Sequence, residues 1–160
     1  GCGDGIGSVF LGKFAKQVTG VDYDEELIEN NRKEYKDIPN IDFKKLNLLN
    51  VSSHKATYDA VVSMDVIEHF NEEEGRKLAA NYAKLTNEGG FALIGTPNIA
   101  SRQYASENRL KNHLHEFNPD ELQSLLSNYF KRVFLFSMTD EVVSTSFSKM
   151  AWYLMALCVK

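Results

Sequence analysis

Closely spaced glycines and a carboxylate are the first residues of this sequence that could do chemistry. The chain begins GlyCysGlyAspGly, residues 1–5, and glycine lets the backbone approach a ligand closely. Asp22 follows Gly3 by nineteen positions, close to the spacing of about 20 at which an acid accepts hydrogen bonds from ribose hydroxyls in nucleoside-binding α/β folds. Asp4 favours a cationic ligand over an anionic pyrophosphate. A flexible glycine-rich segment and a helix-capping Asp22 remain open as alternatives.

Carboxylates and histidines form the second group that could do chemistry. Asp65, Glu68 and His69 have i, i+3, i+4 spacing, which would place all three on one face of a helical turn. HisLeuHisGlu, residues 113–116, could bring a further imidazole from a later segment. Histidine is the natural general base at neutral pH, and mixed imidazole and carboxylate ligands also suit Mg²⁺, Mn²⁺ or Zn²⁺. The structural alternative is that Glu68 and His69 cap the turn and the next helix, while His115 packs at the base of a lid.

Alternating apolar runs and helical patterns must position these residues. They extend from end to end without a linker or repeat, so we expect one domain over residues 1–160. Strands are predicted at 17–22, 41–46, 58–64, 91–94, 133–137 and 152–159, and helices at 5–15, 24–35, 72–86 and 119–128. The predicted class is α/β, with a doubly wound, mainly parallel sheet and an antiparallel last strand, Trp152–Val159.

Two connections depart from that pattern. A glycine-rich turn normally follows a strand, so we expect this chain to lack its natural N-terminal strand. Residues 96–116 form a connection longer than the usual limit of about 12 to 15 residues, and such loops are commonly active-site lids.

Composition restricts the class of protein. Among 160 residues, 18 are Lys or Arg and 22 are Asp or Glu, for a net charge of -4, so no nucleic-acid partner is expected. The sequence has neither an apolar run near the roughly 18 residues of a membrane span nor a signal-peptide pattern, so we expect a cytoplasmic protein without a membrane partner. Cys2 and Cys158 are expected to stay reduced. The sequence does not indicate an oligomeric state.

The ordered motifs carry a family resemblance. GCGDG, VTGVDYD, LNLLN, YDAVVSMDVIEHF and GGFALIGTPN, in this order and at these intervals, resemble the class I S-adenosylmethionine-dependent methyltransferases and their Rossmann-like fold. The later HLHEFNPDEL is similar to the small-molecule branch, which includes ubiquinone-biosynthesis O-methyltransferases and sugar methyltransferases. The resemblance covers essentially the whole chain.

This resemblance implies a cofactor, S-adenosyl-L-methionine, and residues that bind it. The implied contacts are Gly1, Cys2 and Gly3 beneath the methionine part, Asp22 on both ribose hydroxyls, Tyr23 beside the adenine, Asn47 as acceptor from the adenine amino group, the Leu48 backbone NH on the ring, and Met64 and Asp65 along the sulfonium and methionyl region.

The resemblance also implies methyl transfer to a small-molecule acceptor, most often an oxygen. His69 and His115 are the predicted catalytic residues, with His69 favoured as the base, and no metal ligand is assigned. In some relatives, however, an equivalent Glu-His pair and a later histidine hold a divalent metal. A metal-assisted RNA 2′-O-methyltransferase, which the acidic composition disfavours, and a non-catalytic cofactor-binding relative are the alternatives.

Overall fold

The computed structural model describes residues 1–145 and 147–160, which divide into two units, Gly1–Ser53 and His54–Lys160. Each unit contains its own β-sheet and its own helices. The expectation of one domain over residues 1–160 stays a prediction.

The first unit is a βαβ arrangement preceded by a short helix. Its elements are α1 (Ile6–Gly12), β1 (Val18–Asp22), α2 (Glu25–Glu34) and β2 (Ile41–Lys45). The two strands run parallel, in register from Val18 opposite Ile41 to Asp22 opposite Lys45. The Asp24 carboxylate caps α2 by accepting from the backbone NH groups of Glu26 and Leu27, at 2.9 and 3.2 Å. Asp24, and not Asp22, is therefore the capping acid.

Phe43 packs against glycine backbone in the core of this unit. A Cβ at Gly20 would lie 2.7 Å from Phe43 Cδ1 and 2.8 Å from Ser8 Oγ, so the strand needs a glycine there. A Cβ at Gly5 would lie 2.9 Å from Phe43 Cζ, and Gly5 also has a positive φ of 81°. These close approaches let the glycine-rich segment pack on the strands of the unit.

The second unit contains a five-stranded sheet in the order β3-β4-β7-β5-β6. Strands β3 and β4 are parallel, whereas the pairs β4-β7, β7-β5 and β5-β6 are antiparallel. The elements are β3 (Tyr58–Met64), α3 (Glu72–Leu85), β4 (Thr86–Pro97), α4 (Glu107–Asn112), α5 (Pro119–Ser127), β5 (Arg132–Thr139), β6 (Val142–Ser144) and β7 (Tyr153–Val159), with 3₁₀ turns at Ile67–His69, Ile99–Tyr104 and Ser148–Met150. The predicted α/β class is confirmed, including the antiparallel last strand.

Two helices cover this sheet with regularly spaced apolar side chains. Helix α3 buries Leu78, Tyr82 and Leu85, and α5 buries Leu122 and Leu126, the spacing of a helix face that packs on a core. Full burial of each such side chain contributes roughly 1.5 to 3 kcal/mol.

Helix boundaries in this unit follow local capping. Asn71 and Glu74 form a reciprocal capping box at the start of α3, and Asn118 caps α5 with Pro119 in its first turn. Strand β4 begins at Thr86, directly after α3, and changes register opposite Tyr58 and Ala60.

The connection 96–116 is more ordered than the sequence pattern indicated. It contains the 3₁₀ turn Ile99–Tyr104 and helix α4, which Ser106 caps by accepting from the Arg109 NH at 3.2 Å. Its role as a lid stays a prediction. Within the described part of the chain, no helix is both long enough and apolar enough to cross a bilayer.

Candidate active site

Asp22 and the glycine-rich segment are joined directly in the first unit. The Gly3 NH donates to Asp22 Oδ2 at 3.0 Å, and the Asp24 NH donates to Asp22 Oδ1 at 3.1 Å. A carboxylate offers about four lone-pair sites, so two backbone donors leave acceptors for a ribose diol. Gly3 has a φ of 50°, and a Cβ there would meet nothing within 4 Å. The residues present therefore fit a nucleoside whose hydroxyls face Asp22.

A buried asparagine that sequence reasoning missed supports the same segment. Asn31 Nδ2 donates to the Gly3 carbonyl at 2.7 Å from the inner face of α2. Its spacing of three residues from the buried Ile28 was the available signal, since it places an amide on the inner face of the helix.

The other predicted cofactor residues of the first unit lie near the ends of its strands. Tyr23 directly follows β1 and is exposed, and Asn47 lies in the segment after β2, which the Leu46 NH ties to the Asp22 carbonyl at 2.8 Å. Asn47 Oδ1 already accepts from the Leu49 NH at 2.9 Å, leaving one lone pair for an adenine amino group. Gly1 is exposed, Cys2 and Leu48 are half-buried, and all five roles stay predictions.

Met64 and Asp65 form the tip of β3 in the second unit. Asp65 has a φ of 54°, a left-handed conformation that costs about 1 to 3 kcal/mol in a residue other than glycine. Its NH donates to the Gly95 carbonyl at 3.1 Å, and a Cβ at Gly95 would overlap Met64 Sδ and the Tyr153 hydroxyl. Burial, and then the nearby Asp65 carboxylate, raise the pKa of Tyr153, a residue that sequence reasoning did not place in the site.

Glu68 is fully buried in the 3₁₀ turn that follows. Its Oε2 accepts from Thr96 Oγ1 at 2.9 Å, and among the described residues its Oε1 has no hydrogen-bond partner. Burial raises the pKa of this carboxyl. A buried acceptor without a partner costs about 1 to 3 kcal/mol, which is expected where an atom is kept for a ligand.

Two histidines lie beside Glu68. The rings of His69 and His113 meet edge to face with centroids 4.9 Å apart, and one ligand atom from each of Glu68, His69 and His113 lies within 4.8 Å of the others. Asp65 precedes the 3₁₀ turn and is not part of this group, so the expectation of Asp65, Glu68 and His69 on one helical face is wrong.

Hydrogen bonds determine which ring nitrogen of His69 carries hydrogen. His69 Nδ1 lies 3.0 Å from the Asn112 carbonyl oxygen. A carbonyl can only accept, so Nδ1 must donate, and the neutral ring then has its lone pair on Nε2. His69 is exposed, so this lone pair is accessible to an acceptor's proton or to a metal ion.

His113 has the same tautomer for a different reason. Its Nδ1 lies 2.7 Å from Glu116 Oε1, and Arg109 donates to both Glu116 oxygens, from Nε at 2.7 Å and from Nη2 at 3.1 Å. Burial alone would raise the pKa of Glu116, but hydrogen bonds from Arg109 and His113, with the charges of Arg109 and Arg102, lower it overall. An ionised Glu116 can only accept, so the lone pair of a neutral His113 ring is on Nε2.

His115 is held away from this pair of rings. Its Nε2 lies 2.6 Å from Glu121 Oε1, and its ring packs edge to face on Phe117 at 4.6 Å. Only its backbone reaches the cluster, through an NH that donates to the Glu68 carbonyl at 3.1 Å. The catalytic role predicted for His115 stays a prediction, and the geometry favours His113 instead.

Comparisons with known proteins show the family to which the chain belongs. A family model described as a methyltransferase domain matches residues 1–90, more than half of the chain. The chain belongs to the S-adenosylmethionine-dependent methyltransferase family. Membership confirms the class I methyltransferase resemblance and the cofactor, S-adenosyl-L-methionine, that the motifs implied.

Curated relatives of this methyltransferase are longer than the chain. A probable S-adenosylmethionine-dependent methyltransferase of Mycobacterium tuberculosis (strain ATCC 25618 / H37Rv) is 32% identical over 127 residues, which cover 79% of this chain and 44% of the relative. A ubiquinone biosynthesis O-methyltransferase of Coxiella burnetii is 29% identical over 106 residues, 65% of this chain and 44% of the relative. The chain thus spans less than half the length of these relatives.

Solved structures show the fold. The methyltransferase domain of bacterial CtHen1-C superposes with a TM-score of 0.77 at 20% identity, covering 99% of this chain and 86% of that one. N-methyltransferase NodS from Bradyrhizobium japonicum WM9, solved with S-adenosyl-L-homocysteine, gives a TM-score of 0.70 at 18% identity, covering 99% and 74%. The Rossmann-like methyltransferase fold predicted from the sequence is confirmed.

Proposed function

We propose that this methyltransferase transfers a methyl group to an oxygen of a small-molecule acceptor, with Asp22 binding the cofactor ribose and His69 acting as general base. The observation that carries the assignment of the base is the contact between His69 Nδ1 and the Asn112 carbonyl. This contact places the lone pair of the neutral ring on His69 Nε2.

For this reaction the protein must position the cofactor and the acceptor and remove the acceptor's proton. Bound S-adenosylmethionine supplies a methyl group on a sulfonium cation, which needs no further activation. Asp22 would orient the nucleoside through its remaining lone pairs, and His69 would take the acceptor's proton at Nε2 as the new oxygen-carbon bond forms. Fixing the ring in advance by the Asn112 carbonyl lowers the cost of orienting it during the reaction.

A metal-assisted version of the reaction is the second candidate, and the cluster of Glu68, His69 and His113 favours it. The residues present fit a divalent metal, because Glu68 Oε1 has no partner among the described residues and both rings have their lone pairs on Nε2. A bound metal would supply a Lewis acid that makes the acceptor hydroxyl easier to deprotonate. In this candidate reaction the methyl acceptor could also be an RNA 2′-hydroxyl. The net charge of -4 disfavours binding to the RNA phosphate backbone.

A turnover experiment tests the proposal and separates the candidates. The chain is incubated with S-adenosylmethionine and fractionated cell metabolites, and S-adenosylhomocysteine is quantified with and without EDTA. We expect His69→Ala to lower turnover roughly 10²- to 10⁴-fold with unchanged cofactor affinity, and EDTA to leave the wild-type rate unchanged. His54→Ala is the matched control. His54 lies in the same unit, its Nε2 is hydrogen-bonded to the Tyr58 hydroxyl at 2.9 Å, and it has no role in the proposal.

Three results would change the assignment. Loss of activity to EDTA, restored by Mg²⁺, Mn²⁺ or Zn²⁺, would favour the metal-assisted candidate. Cofactor binding without S-adenosylhomocysteine formation from any metabolite or RNA fraction would indicate a non-catalytic relative. Full turnover by His69→Ala would exclude His69 as the base.

A further inference from the structure

We infer that Glu116 is a positioning residue of this site: it holds His113, whose ring lies beside Glu68 and His69, at Nδ1, so that the lone pair of the neutral ring is on Nε2. The inference deepens the proposed function and rests on it, since it concerns the same cluster. The distance from His113 Nδ1 to Glu116 Oε1 is 2.7 Å, and the Glu116 side chain is completely buried.

Glu116 can set the orientation of His113 because its own position is fixed from the other side. Arg109 donates to both carboxylate oxygens, and its Nη2 also donates to Ser101 Oγ at 2.9 Å. Arg102 lies 3.6 Å from Glu116 Oε2. A carboxylate held by a bidentate arginine cannot rotate away from the ring that donates to it.

The tautomer of His113 matters for the metal-assisted form of the reaction, in which His113 would be a ligand. A neutral imidazole without a fixed partner exchanges between its two tautomers, and only the form with hydrogen on Nδ1 has a lone pair on Nε2. Carboxylate partners of this kind orient histidine ligands in metal sites, and their loss typically costs roughly 10- to 100-fold in metal affinity or activity. Glu116 would therefore act through His113 without touching acceptor or cofactor.

A second histidine-carboxylate pair in the same segment provides a matched control. His115 Nε2 lies 2.6 Å from Glu121 Oε1, a contact as short as that of His113. This pair uses the opposite ring nitrogen, and His115 is not part of the cluster with Glu68. A general effect of losing a histidine-carboxylate contact should appear in both pairs, whereas a positioning effect should appear only at Glu116.

The experiment compares Glu116→Gln with Glu121→Gln by two measurements. Imidazole ¹⁵N resonances, assigned with His113→Asn and recorded where the rings are neutral, report which nitrogen carries hydrogen. Methyl-transfer rates, normalised to folded protein by circular dichroism, report function. We expect His113 to carry hydrogen on Nδ1 in the wild type and to show a mixture of tautomers in Glu116→Gln, with any turnover that depends on added divalent metal reduced about 10- to 100-fold. Glu121→Gln should change neither the His113 resonances nor the rate.

The failure of this inference differs from the failure of the proposed function. A folded Glu116→Gln variant with the wild-type tautomer and rate would make Glu116 a purely structural anchor. If Glu116→Gln does not fold, the ¹⁵N spectrum of the wild type still tests the inference. Hydrogen on His113 Nδ1 would support it, and hydrogen on His113 Nε2 would overturn it. A wild-type chain that shows the expected tautomer but forms no S-adenosylhomocysteine would contradict the proposed function and leave the positioning of His113 supported.

Discussion

Asp22→Ala should remove most of the affinity of this methyltransferase for S-adenosylhomocysteine. The wild-type carboxylate accepts from the NH groups of Gly3 and Asp24 at 3.0 and 3.1 Å and has further lone pairs for both ribose hydroxyls. Alanine removes the ribose acceptors and also releases the Gly3 NH, so the variant should lose ligand contacts together with the fixed glycine-rich segment.

The size of the loss follows from the number of hydrogen bonds. A hydrogen bond to a charged group contributes about 1.5 to 3 kcal/mol, so two ribose contacts give about 3 to 6 kcal/mol, or roughly 10²- to 10⁴-fold in Kd. At a ligand concentration of 100 times the wild-type Kd, binding stabilises the native state by about 2.7 kcal/mol. At about 2 to 4 °C per kcal/mol, the wild-type Tm should rise by about 5 to 11 °C. A variant weakened about 100-fold should show a rise of only about 1 to 2 °C.

Thermal unfolding with and without S-adenosylhomocysteine, supported by calorimetric titration, measures this difference. Asp24→Ala is the matched control, since it removes the cap of α2, at a cost of about 0.5 to 2 kcal/mol, while Asp22 stays in place. We expect Asp24→Ala to lower the Tm but to keep the wild-type shift. An undiminished shift in Asp22→Ala, or protection of the wild type by NADH instead, would refute the assignment of Asp22 as the ribose ligand.

Two further predictions concern buried ionisable groups. Burial raises the pKa of Glu68, so the charged carboxylate destabilises the folded state. As the pH rises from the unfolded-state pKa of about 4.3 through the higher folded-state pKa, the wild type should therefore lose stability relative to Glu68→Gln. Urea unfolding at pH 4 and pH 8 measures that difference, and an equal gap at both pH values would contradict it. Burial also raises the pKa of Cys158 to about 12, so its thiol should react with Ellman's reagent at pH 8 only after unfolding. Prompt labelling of Cys158 in the native protein, located by mass spectrometry, would show that the thiol is accessible.

Features with a local cause could be predicted from the sequence. The bounds of β3, Tyr58–Met64, agree with the predicted strand, and α5 begins at Pro119, where the predicted helix also begins. Alternation of apolar residues, a capping side chain and a proline at the first turn all act within a few residues. The missed helix α4 is only six residues long and has no buried residue, so it lacks the apolar pattern by which a helix is recognised.

The identity of the second histidine could not be predicted in this way. His113 and His115 differ by two positions, and the prediction from the sequence named His115, whereas the structure places His113 beside His69. The choice depends on Glu116, which Arg109 of α4 anchors, and on the separate contact of His115 with Glu121. Those contacts depend on the path of a segment whose secondary structure was not predicted.

The burial of Glu68 likewise could not be predicted from the residues near it in the sequence. Its hydroxyl partner, Thr96, lies 28 residues later on β4, and only the pairing of β3 with β4 brings the two side chains together. Spacing along the chain indicated Asp65 as a companion of Glu68, but a left-handed backbone at Asp65 and a 3₁₀ turn that begins at Ile67 replace the regular helix that this spacing assumes.

Two unfavourable features of the second unit lie three positions apart along the chain, at Asp65 and Glu68. Asp65 has a strained φ, and Glu68 Oε1 is buried without a partner among the described residues. Stability alone would select against each feature, and native proteins keep such costs chiefly where function requires them. Family membership accounts for the cofactor, but it does not account for two histidine rings beside the buried carboxyl of Glu68. The chemistry of the methyl acceptor is therefore best sought through variants of this cluster.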